Sequence, residues 1–152
     1  MGTVLSPIFL FMYFINYGIY KNIIDVIGNS PIESGGIIGI KNNTICSFYF
    51  DCFAKLNNSS YTPSIDILND IIKEWKKDKI EFVGIVHSHP NGYNLPSKND
   101  ANYARMLLDT NENLPFVIFP IVTMDNEEIY ISFYKYDKKF SRIKLTIKNR
   151  HC

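Results

Sequence analysis

One short stretch of the chain has residue types and a spacing that could bind a metal ion. In order, it contains His87, His89, Pro90, Ser97 and Asp100. The whole chain has only three histidines. From the frequencies of these residue types in the chain, the chance that this pattern arises at random is on the order of 10⁻⁵. Coincidence is therefore a poor explanation, and this stretch is the first candidate for a functional site.

The segment in front of the histidines explains why they stand two positions apart. Residues 81–86 form a short apolar run with β-branched side chains, which predicts a strand that leads into His87. Alternate side chains of a strand point to the same face, so His87 and His89 project to one side and Ser88 to the other. Pro90 has no N–H to donate to a sheet and should end the strand.

Asp100 is expected to approach the two histidines from a helix. Residues 91–96 are typical of a turn, and apolar residues at helical spacing follow Ser97. Asp100 then lies in the first turn of this helix. Two imidazoles and one carboxylate, with one position left for water, make up a catalytic zinc site rather than a structural one. Taken alone, Ser97 and Asp100 also fit a helix capping box, in which Asp100 would be purely structural.

The complete pattern resembles the signature of the JAMM metalloproteases, also called MPN-plus or JAB domains. That signature is His-x-His-Pro, six residues, Ser, two residues and Asp, and residues 87–100 match it. The family also has a glutamate well upstream, near the end of the first helix, followed by small residues and a strand. Residues 31–39, which include Glu33, match this element closely. Alone, Glu33 would be interpreted as a solvated residue in a glycine-rich turn.

The resemblance implies a role for each of these residues. His87, His89 and Asp100 would be the ligands of a zinc ion, Zn²⁺. Glu33 would hold the metal-bound water and act as general base, and then as general acid toward the leaving amine. Ser97 would donate a hydrogen bond to the tetrahedral oxyanion. Zinc lowers the pKa of bound water to about 7 and polarises the carbonyl, so amide hydrolysis would need no protein nucleophile.

The resemblance further implies a zinc isopeptidase or peptidase that acts at the extended C-terminal tail of a ubiquitin-like protein. Cleavage of a sulfur-carrier protein adduct is a second enzymatic alternative. The tail would be held as an added strand, with small residues, glycine above all, before the cut. Residues 56–61 and 91–96 could supply the walls, and the second segment is expected to lie closer to the metal. The non-enzymatic alternative is an MPN-type scaffold with a bound but non-catalytic metal.

Composition is consistent with a single domain over residues 1–152. The chain is 46% hydrophobic and 14% aromatic, which is enough for a sizeable core. Its 16 basic and 15 acidic residues give a net charge of +1, so no nucleic-acid partner is expected. Cys46, Cys52 and Cys152 have no disulfide or metal spacing, which is typical of a reducing compartment. We therefore expect a cytoplasmic protein.

The first part of the chain is strongly apolar. Residues 4–20 contain many aromatic side chains and few polar ones. Neither the basic start nor the small-residue cleavage site of a secretory signal is visible. The run is short for a bilayer span and is interrupted by Pro7 and Asn16, so membrane insertion is not expected. We expect residues 1–14 to be an apolar extension that joins the core or a homodimer interface and continues into the first helix. A membrane-associated segment is the alternative.

The rest of the chain predicts a mixed β-sheet flanked by helices, an α/β or α+β fold. This agrees with the JAMM/MPN fold, and the resemblance spans roughly residues 15–147. Without long insertions, the chain is similar to the compact stand-alone JAB proteins of bacteria and archaea. A polar loop is expected over residues 56–61, followed by a helix with Thr62 as N-cap and Pro63 at its first position. Strands are expected at 37–40, 44–53, 81–86, 115–123, 128–136 and 140–147.

Overall fold

The computed structural model describes residues 12–28, 30, 32–57 and 60–149. Most of the predicted apolar extension, together with Pro31 and Cys152, therefore lies outside the described residues. The helices are α1 (Tyr17–Ile27), α2 (Ile65–Lys77) and α3 (Lys98–Thr110). The strands are β1 (Tyr13–Asn16), β2 (Gly35–Lys41), β3 (Thr44–Phe50), β4 (Lys55–Asn57), β5 (Ser60–Thr62), β6 (Glu81–Ser88), β7 (Val117–Asp125), β8 (Glu128–Tyr136), β9 (Phe140–Ile143) and β10 (Leu145–Lys148).

Eight of these strands form one mixed sheet in the order β10-β1-β3-β2-β6-β7-β8-β9. The pairs β1–β10, β1–β3 and β6–β7 are parallel, and the other pairs are antiparallel. Strands β9 and β10 lie at opposite ends of the sheet, although only Lys144 separates them along the chain. Because two residues span at most about 7.6 Å between Cα atoms, the sheet must curl until its ends come together.

The helices cover both faces of this curled sheet. Helix α1 contacts β3, β8 and β10, which places it on the concave face, and its residues Ile23 and Ile27 are fully buried there. Helix α2 packs on β2 and β6, whereas α3 packs on β7 and β8. Leu68 of α2 and Ala104 of α3 belong to a second core on the opposite face of the sheet. The predicted mixed sheet flanked by helices is confirmed.

Two predictions between β3 and α2 are wrong in detail. The predicted polar loop over residues 56–61 contains the short antiparallel hairpin β4–β5. Helix α2 has Ser64 as its N-cap, not Thr62, which belongs to β5. The backbone N–H of Ser64 donates a hydrogen bond to the buried carboxylate of Asp51. No local sequence pattern predicts this tertiary hydrogen bond. It engages Ser64, the residue that caps the helix two positions later than predicted.

Other boundaries shift for reasons of strand pairing. The single strand predicted at 140–147 is divided at Lys144, because β9 pairs with β8 and β10 pairs with β1. The strand predicted at 44–53 ends at Phe50. A strand, β1, precedes the first helix, and Asn16 caps that helix by accepting hydrogen bonds from the N–H groups of Gly18 and Ile19. Among the described residues, no helix is long and apolar enough to cross a membrane.

Candidate metal centre

Strand β6 carries the two predicted histidines to one end of the sheet. His87 lies in β6, and His89 follows in an extended conformation before a 3₁₀ turn that begins at Pro90. The N–H of His89 donates to the carbonyl of Val122 in β7, so pairing with the sheet continues to this residue. Both imidazoles therefore point to the same side, as predicted, and their Nε2 atoms are 2.8 Å apart.

Asp100 reaches the histidines from the first turn of α3. Its Oδ1 lies 3.0 Å from Nε2 of His87, and its Oδ2 lies 3.1 Å from Nε2 of His89. The same Oδ2 accepts a hydrogen bond from the N–H of Ser97, while Oγ of Ser97 accepts one from the N–H of Asp100. The carboxylate of Asp100 is thus both part of the capping box and the candidate metal ligand. The capping box holds it facing the two imidazoles.

Burial and close contact shift the pKa values of this cluster. Burial lowers the pKa of His87, which favours its neutral form. Burial also opposes charge on His89, but the hydrogen bond and negative charge of Asp100 outweigh it and raise the pKa. Burial alone would raise the pKa of Asp100, yet hydrogen bonds from both histidines and Ser97 hold it well below its usual range. Asp100 therefore keeps its negative charge in the folded protein at neutral pH.

The orientation of His89 is fixed by its second nitrogen. Nδ1 of His89 lies 3.0 Å from the backbone carbonyl oxygen of Tyr93. Because a carbonyl only accepts, Nδ1 must carry the proton, which leaves a lone pair on Nε2 in the neutral ring. The ring of Tyr93 also stacks on that of His89, with 5.8 Å between centroids. The Nδ1 of His87 is buried and has no hydrogen-bond partner among the described residues.

Strand register places Glu33 at the same cluster. Gly35 of β2 pairs with His87 of β6. One step further, the N–H of Ser88 donates to the carbonyl of Ser34, and the N–H of Ser34 donates to Oγ of Ser88. Continued by one more residue, this register brings Glu33 level with His89, and both side chains line the same cleft. Burial raises the pKa of Glu33, the charge of His89 opposes this shift, and the charge of Asp100 adds to it. Glu33 is therefore a stronger base than an exposed glutamate.

A cleft of about 510 Å³ opens beside the cluster, with the first turns of α3 on one side and Tyr61 and Pro63, which precede α2, among its other lining residues. All five residues predicted as site residues line it, namely Glu33, His87, His89, Ser97 and Asp100. Sequence reasoning missed further lining residues, which include Tyr61, Pro63, Ile85, Tyr103 and Phe119. Two of them had a usable signal. Tyr103 lies three positions after Asp100, and such residues share a helix face. Ile85 lies two positions before His87, and such residues share a strand face. The others come from elements that only the fold brings together.

The donor atoms suit a divalent metal ion. One atom each from His87, His89 and Asp100 lies within 4.8 Å of the others. Two imidazole nitrogens and a carboxylate oxygen are ligands typical of zinc and related metals. The cluster also borders an open cleft, so a substrate could approach one side of a bound ion. The residues present therefore fit the ion that the sequence pattern predicts.

Comparison with protein families identifies the chain. Residues 28–134 match the model of the prokaryotic homologs of the JAB domain. The matched segment covers most of the described fold and contains Glu33, both cluster histidines, Ser97 and Asp100. The chain belongs to this family, as the sequence pattern predicted. The sequence matches none of the curated proteins with which it was compared.

Solved structures show the same fold at low sequence identity. The solution structure of protein DSY2949 from Desulfitobacterium hafniense has a TM-score of 0.71 and 14% identity, covering 92% of this chain and 95% of that one. AF2198, a JAB1/MPN domain protein from Archaeoglobus fulgidus, has a TM-score of 0.53 and 18% identity, with coverage of 90% and 98%. A third, described as a metalloprotease-like zinc site in the proteasome and signalosome, has a TM-score of 0.51 and 17% identity, with coverage of 90% and 98%.

Proposed function

We propose that this chain is a zinc-dependent isopeptidase or peptidase that hydrolyses an amide bond at the C-terminal tail of a ubiquitin-like or sulfur-carrier-like protein. The observation that carries this proposal is that Glu33 stands in the same cleft as the cluster of His87, His89 and Asp100. A scaffold with a non-catalytic metal needs the three ligands but has no use for a carboxylate base beside them. Glu33 therefore favours the enzyme over the scaffold.

In the proposed reaction, His87, His89 and Asp100 hold the zinc ion. When bound, zinc supplies a Lewis acid that polarises the scissile carbonyl and makes water more acidic. Glu33 takes a proton from the attacking water at a carboxylate oxygen, and burial makes it better suited to that task. As the C–N bond breaks, Glu33 returns the proton to the leaving nitrogen. The tail then ends in a carboxylate, and Glu33 is ready for another cycle.

Ser97 would stabilise the negative charge that develops on the carbonyl oxygen. Its Oγ accepts a hydrogen bond from the N–H of Asp100, which occupies one of its lone pairs. The hydroxyl proton is not needed for the capping box and can be donated into the cleft that Ser97 lines. A donor aimed at a developing oxyanion lowers the barrier more than the same donor aimed at water does.

The tail would run along the hairpin β4–β5. Strand β6, which carries His87, is paired on both sides and cannot accept a further strand. In the described part of the chain, β4 and β5 pair only with each other, and Tyr61 of β5 lines the cleft. Residues 91–96 supply Tyr93 against His89, but Pro90–Gly92 forms a 3₁₀ turn rather than an extended edge. The hairpin is thus the better template for an added strand.

The test is cleavage of fusion substrates that join a ubiquitin-like protein to a reporter through its C-terminal tail. The zinc-loaded protein should release the reporter, a chelator should stop the release, and added zinc should restore it. Thiol alkylation should have little effect, because no cysteine of the described residues lines the cleft. Equal cleavage with and without chelator would contradict the proposal. Zinc-dependent binding of the tail without cleavage would favour the scaffold.

A further inference from the structure

Behind the cleft lies a buried carboxylate that the proposed reaction does not use. Asp51 directly follows β3 and is fully buried. Its Oδ2 accepts hydrogen bonds from the hydroxyl of Tyr61, at 2.9 Å, and from the N–H of Ser64, at 2.8 Å. Its Oδ1 has no hydrogen-bond partner among the described residues. Burying a carboxylate is costly, so its placement between the hairpin and α2 calls for a specific role.

Two contacts fix the side chain of Tyr61, one at its hydroxyl and one at its ring. Its hydroxyl donates to Asp51, and its ring packs directly over Gly35. A Cβ atom at position 35 would lie only 2.8 Å from the ring of Tyr61 and 2.7 Å from the carbonyl oxygen of Val86. Gly35 is also the strand partner of His87. The ring of Tyr61 is therefore fixed beside the metal-binding strand, and a side chain at position 35 would displace it.

Tyr103 approaches the same carboxylate from α3. Burial, and then the negative charge of Asp51, raise the pKa of Tyr103 to about 12. Tyr103 also lines the cleft, as does Tyr61. The hydroxyl of Tyr61 is bound to Asp51, so Tyr61 lines the cleft with its aromatic ring. Other apolar lining comes from Pro63, Ile85 and Phe119.

The inner wall of the cleft is formed by Tyr61, Pro63, Ile85, Tyr103 and Phe119. We propose that this inner wall is a subsite for one apolar side chain of the substrate, in a residue that adjoins the scissile bond, and that Asp51 is the positioning residue that fixes Tyr61 in the wall. The proposal rests on the proposed function and names the substrate side chain that the cleft prefers. It departs from the sequence expectation of glycine beside the cut. A cleft of about 510 Å³ has room for a large side chain next to the ligands.

The preference follows from the burial of apolar surface. A glycine would leave the half-buried rings of Tyr61 and Tyr103 in contact with water, whereas the ring of Phe119 is already buried beneath them. A leucine or phenylalanine side chain would cover them, and burying such a side chain should strengthen binding by about tenfold or more. Asp51 contributes indirectly, because it holds the wall without touching the substrate.

The experiment measures peptide binding to the zinc-loaded protein by isothermal titration calorimetry. One series of short peptides ends in Gly, Ala, Leu or Phe with a free carboxylate, and a second series begins with the same residues as peptide amides. In one of the two series, the Leu and Phe peptides should bind about tenfold or more tightly than the Gly peptide. All peptides in a series offer the same groups to the metal, so this difference reports on the wall.

Variants then connect the preference to the two named residues. Tyr61→Ala should reduce it to less than about threefold, because the ring is lost. Tyr61→Phe and Asp51→Asn should each lower it partway, and their combination should be no worse than either one, since both disturb the same hydrogen bond. The exposed Tyr17→Ala is the control and should keep the full preference. A general loss of structure would weaken Gly and Leu peptides equally and would lower the bound zinc.

Two outcomes would overturn the subsite: equal binding of Gly and Leu peptides in both series, or an unchanged preference in Tyr61→Ala. If Asp51→Asn does not fold, Tyr61→Phe still tests the hydrogen bond, since it keeps the ring and the carboxylate. A peptide preference without hydrolysis of any tail would contradict the proposed enzyme but support the subsite. Tail hydrolysis without a preference would contradict the subsite alone.

Discussion

The two ends of strand β6 border cavities that differ in size and in the burial of their charged side chains. At its start, beside Glu81, lies a groove of about 1480 Å³, and at its end lies the cleft of about 510 Å³. The larger groove has a mixed lining, and among its charged residues Lys79 and Asp109 are exposed. At the smaller cleft, the side chains of His87, His89 and Asp100 are at most 12% exposed. Because burial strengthens electrostatic interactions and shifts pKa values, the smaller cavity has the stronger case for chemistry.

Helix α3 has one aspartate at each of the two cavities. Asp100 lies in its first turn at the cleft, and Asp109 lies near its end at the groove. The two residues have the same chemical type on the same helix. Only Asp100 is held by a capping box against two imidazoles. Paired substitutions at the two ends therefore separate effects of the site from general effects on the fold.

The largest effect is expected for removal of the carboxylate that is the candidate metal ligand. Asp100→Asn should weaken zinc binding by at least about 100-fold, because even the loss of a partner outside the ligand shell costs 10-fold to 100-fold. Asp109→Asn should leave zinc binding unchanged. Competition with a chromophoric chelator measures both affinities. Full zinc affinity in Asp100→Asn would contradict the assignment of a metal centre to the cleft.

The next effect concerns the proposed base. Glu33→Gln should lower turnover by about 10²-fold to 10⁴-fold, because the amide has nearly the same shape but cannot accept the proton of water. Zinc content should stay at the wild-type level, as Glu33 is not among the three ligands. Glu81→Gln, at the groove, is the matched control and should turn over at the wild-type rate. Unchanged turnover in Glu33→Gln would exclude the mechanism while leaving the metal centre in place.

A smaller effect is expected for Ser97, which caps α3 and has a proposed second role as oxyanion donor. Ser97→Ala should lower turnover by about 10²-fold to 10³-fold through loss of the oxyanion donor. It should also lower the free energy of unfolding by about 1 kcal/mol through loss of the helix cap. Asn16→Ala removes the cap of α1 away from the cleft. It should cost a similar stability without the loss of turnover, as measured by denaturant unfolding and kinetics. Equal turnover in the two variants would contradict the donor role.

The smallest effect is a dependence of stability on alkaline pH. Tyrosine in an unfolded chain has a pKa of about 10, whereas burial and then the charge of Asp51 raise the pKa of Tyr103 to about 12. As pH rises through this interval, the unfolded chain loses the proton first, so unfolding becomes more favourable. The stabilising contribution is complete below a pH of about 10 and is lost toward about 12.

The check is denaturant unfolding of wild type and Tyr103→Phe across this alkaline range. The free energy of unfolding should fall less steeply with pH in Tyr103→Phe, which has no hydroxyl to titrate. The exposed Tyr17→Phe should follow the wild-type slope. Identical slopes in all three proteins would show that Tyr103 is not shielded from water in the way the structure indicates.

The metal cluster was predictable because its parts are close in sequence. His87 and His89 depend only on strand alternation, and the capping box depends only on the spacing of Ser97 and Asp100. The contact between Asp51 and Tyr61 behind the cleft was not predictable in this way. Tyr61 was assigned to a polar loop, and Asp51 was given no role, because their hydrogen bond joins elements that no periodic pattern relates. The family resemblance, rather than any local signal, pointed to Glu33.

Local patterns in the sequence were enough to identify the side chains that could bind a metal and to place them at a strand end and a helix start. Hydrophobic periodicity and cap residues act over a few positions, so a short segment of sequence is enough to predict a strand end or a helix start. Tertiary contacts bring Glu33 into the cleft with His89, hold Tyr61 against Asp51 over Gly35, and join the ends of the sheet through β9 and β10. Those contacts join distant parts of the chain, and they form where burial and strand register are satisfied at once.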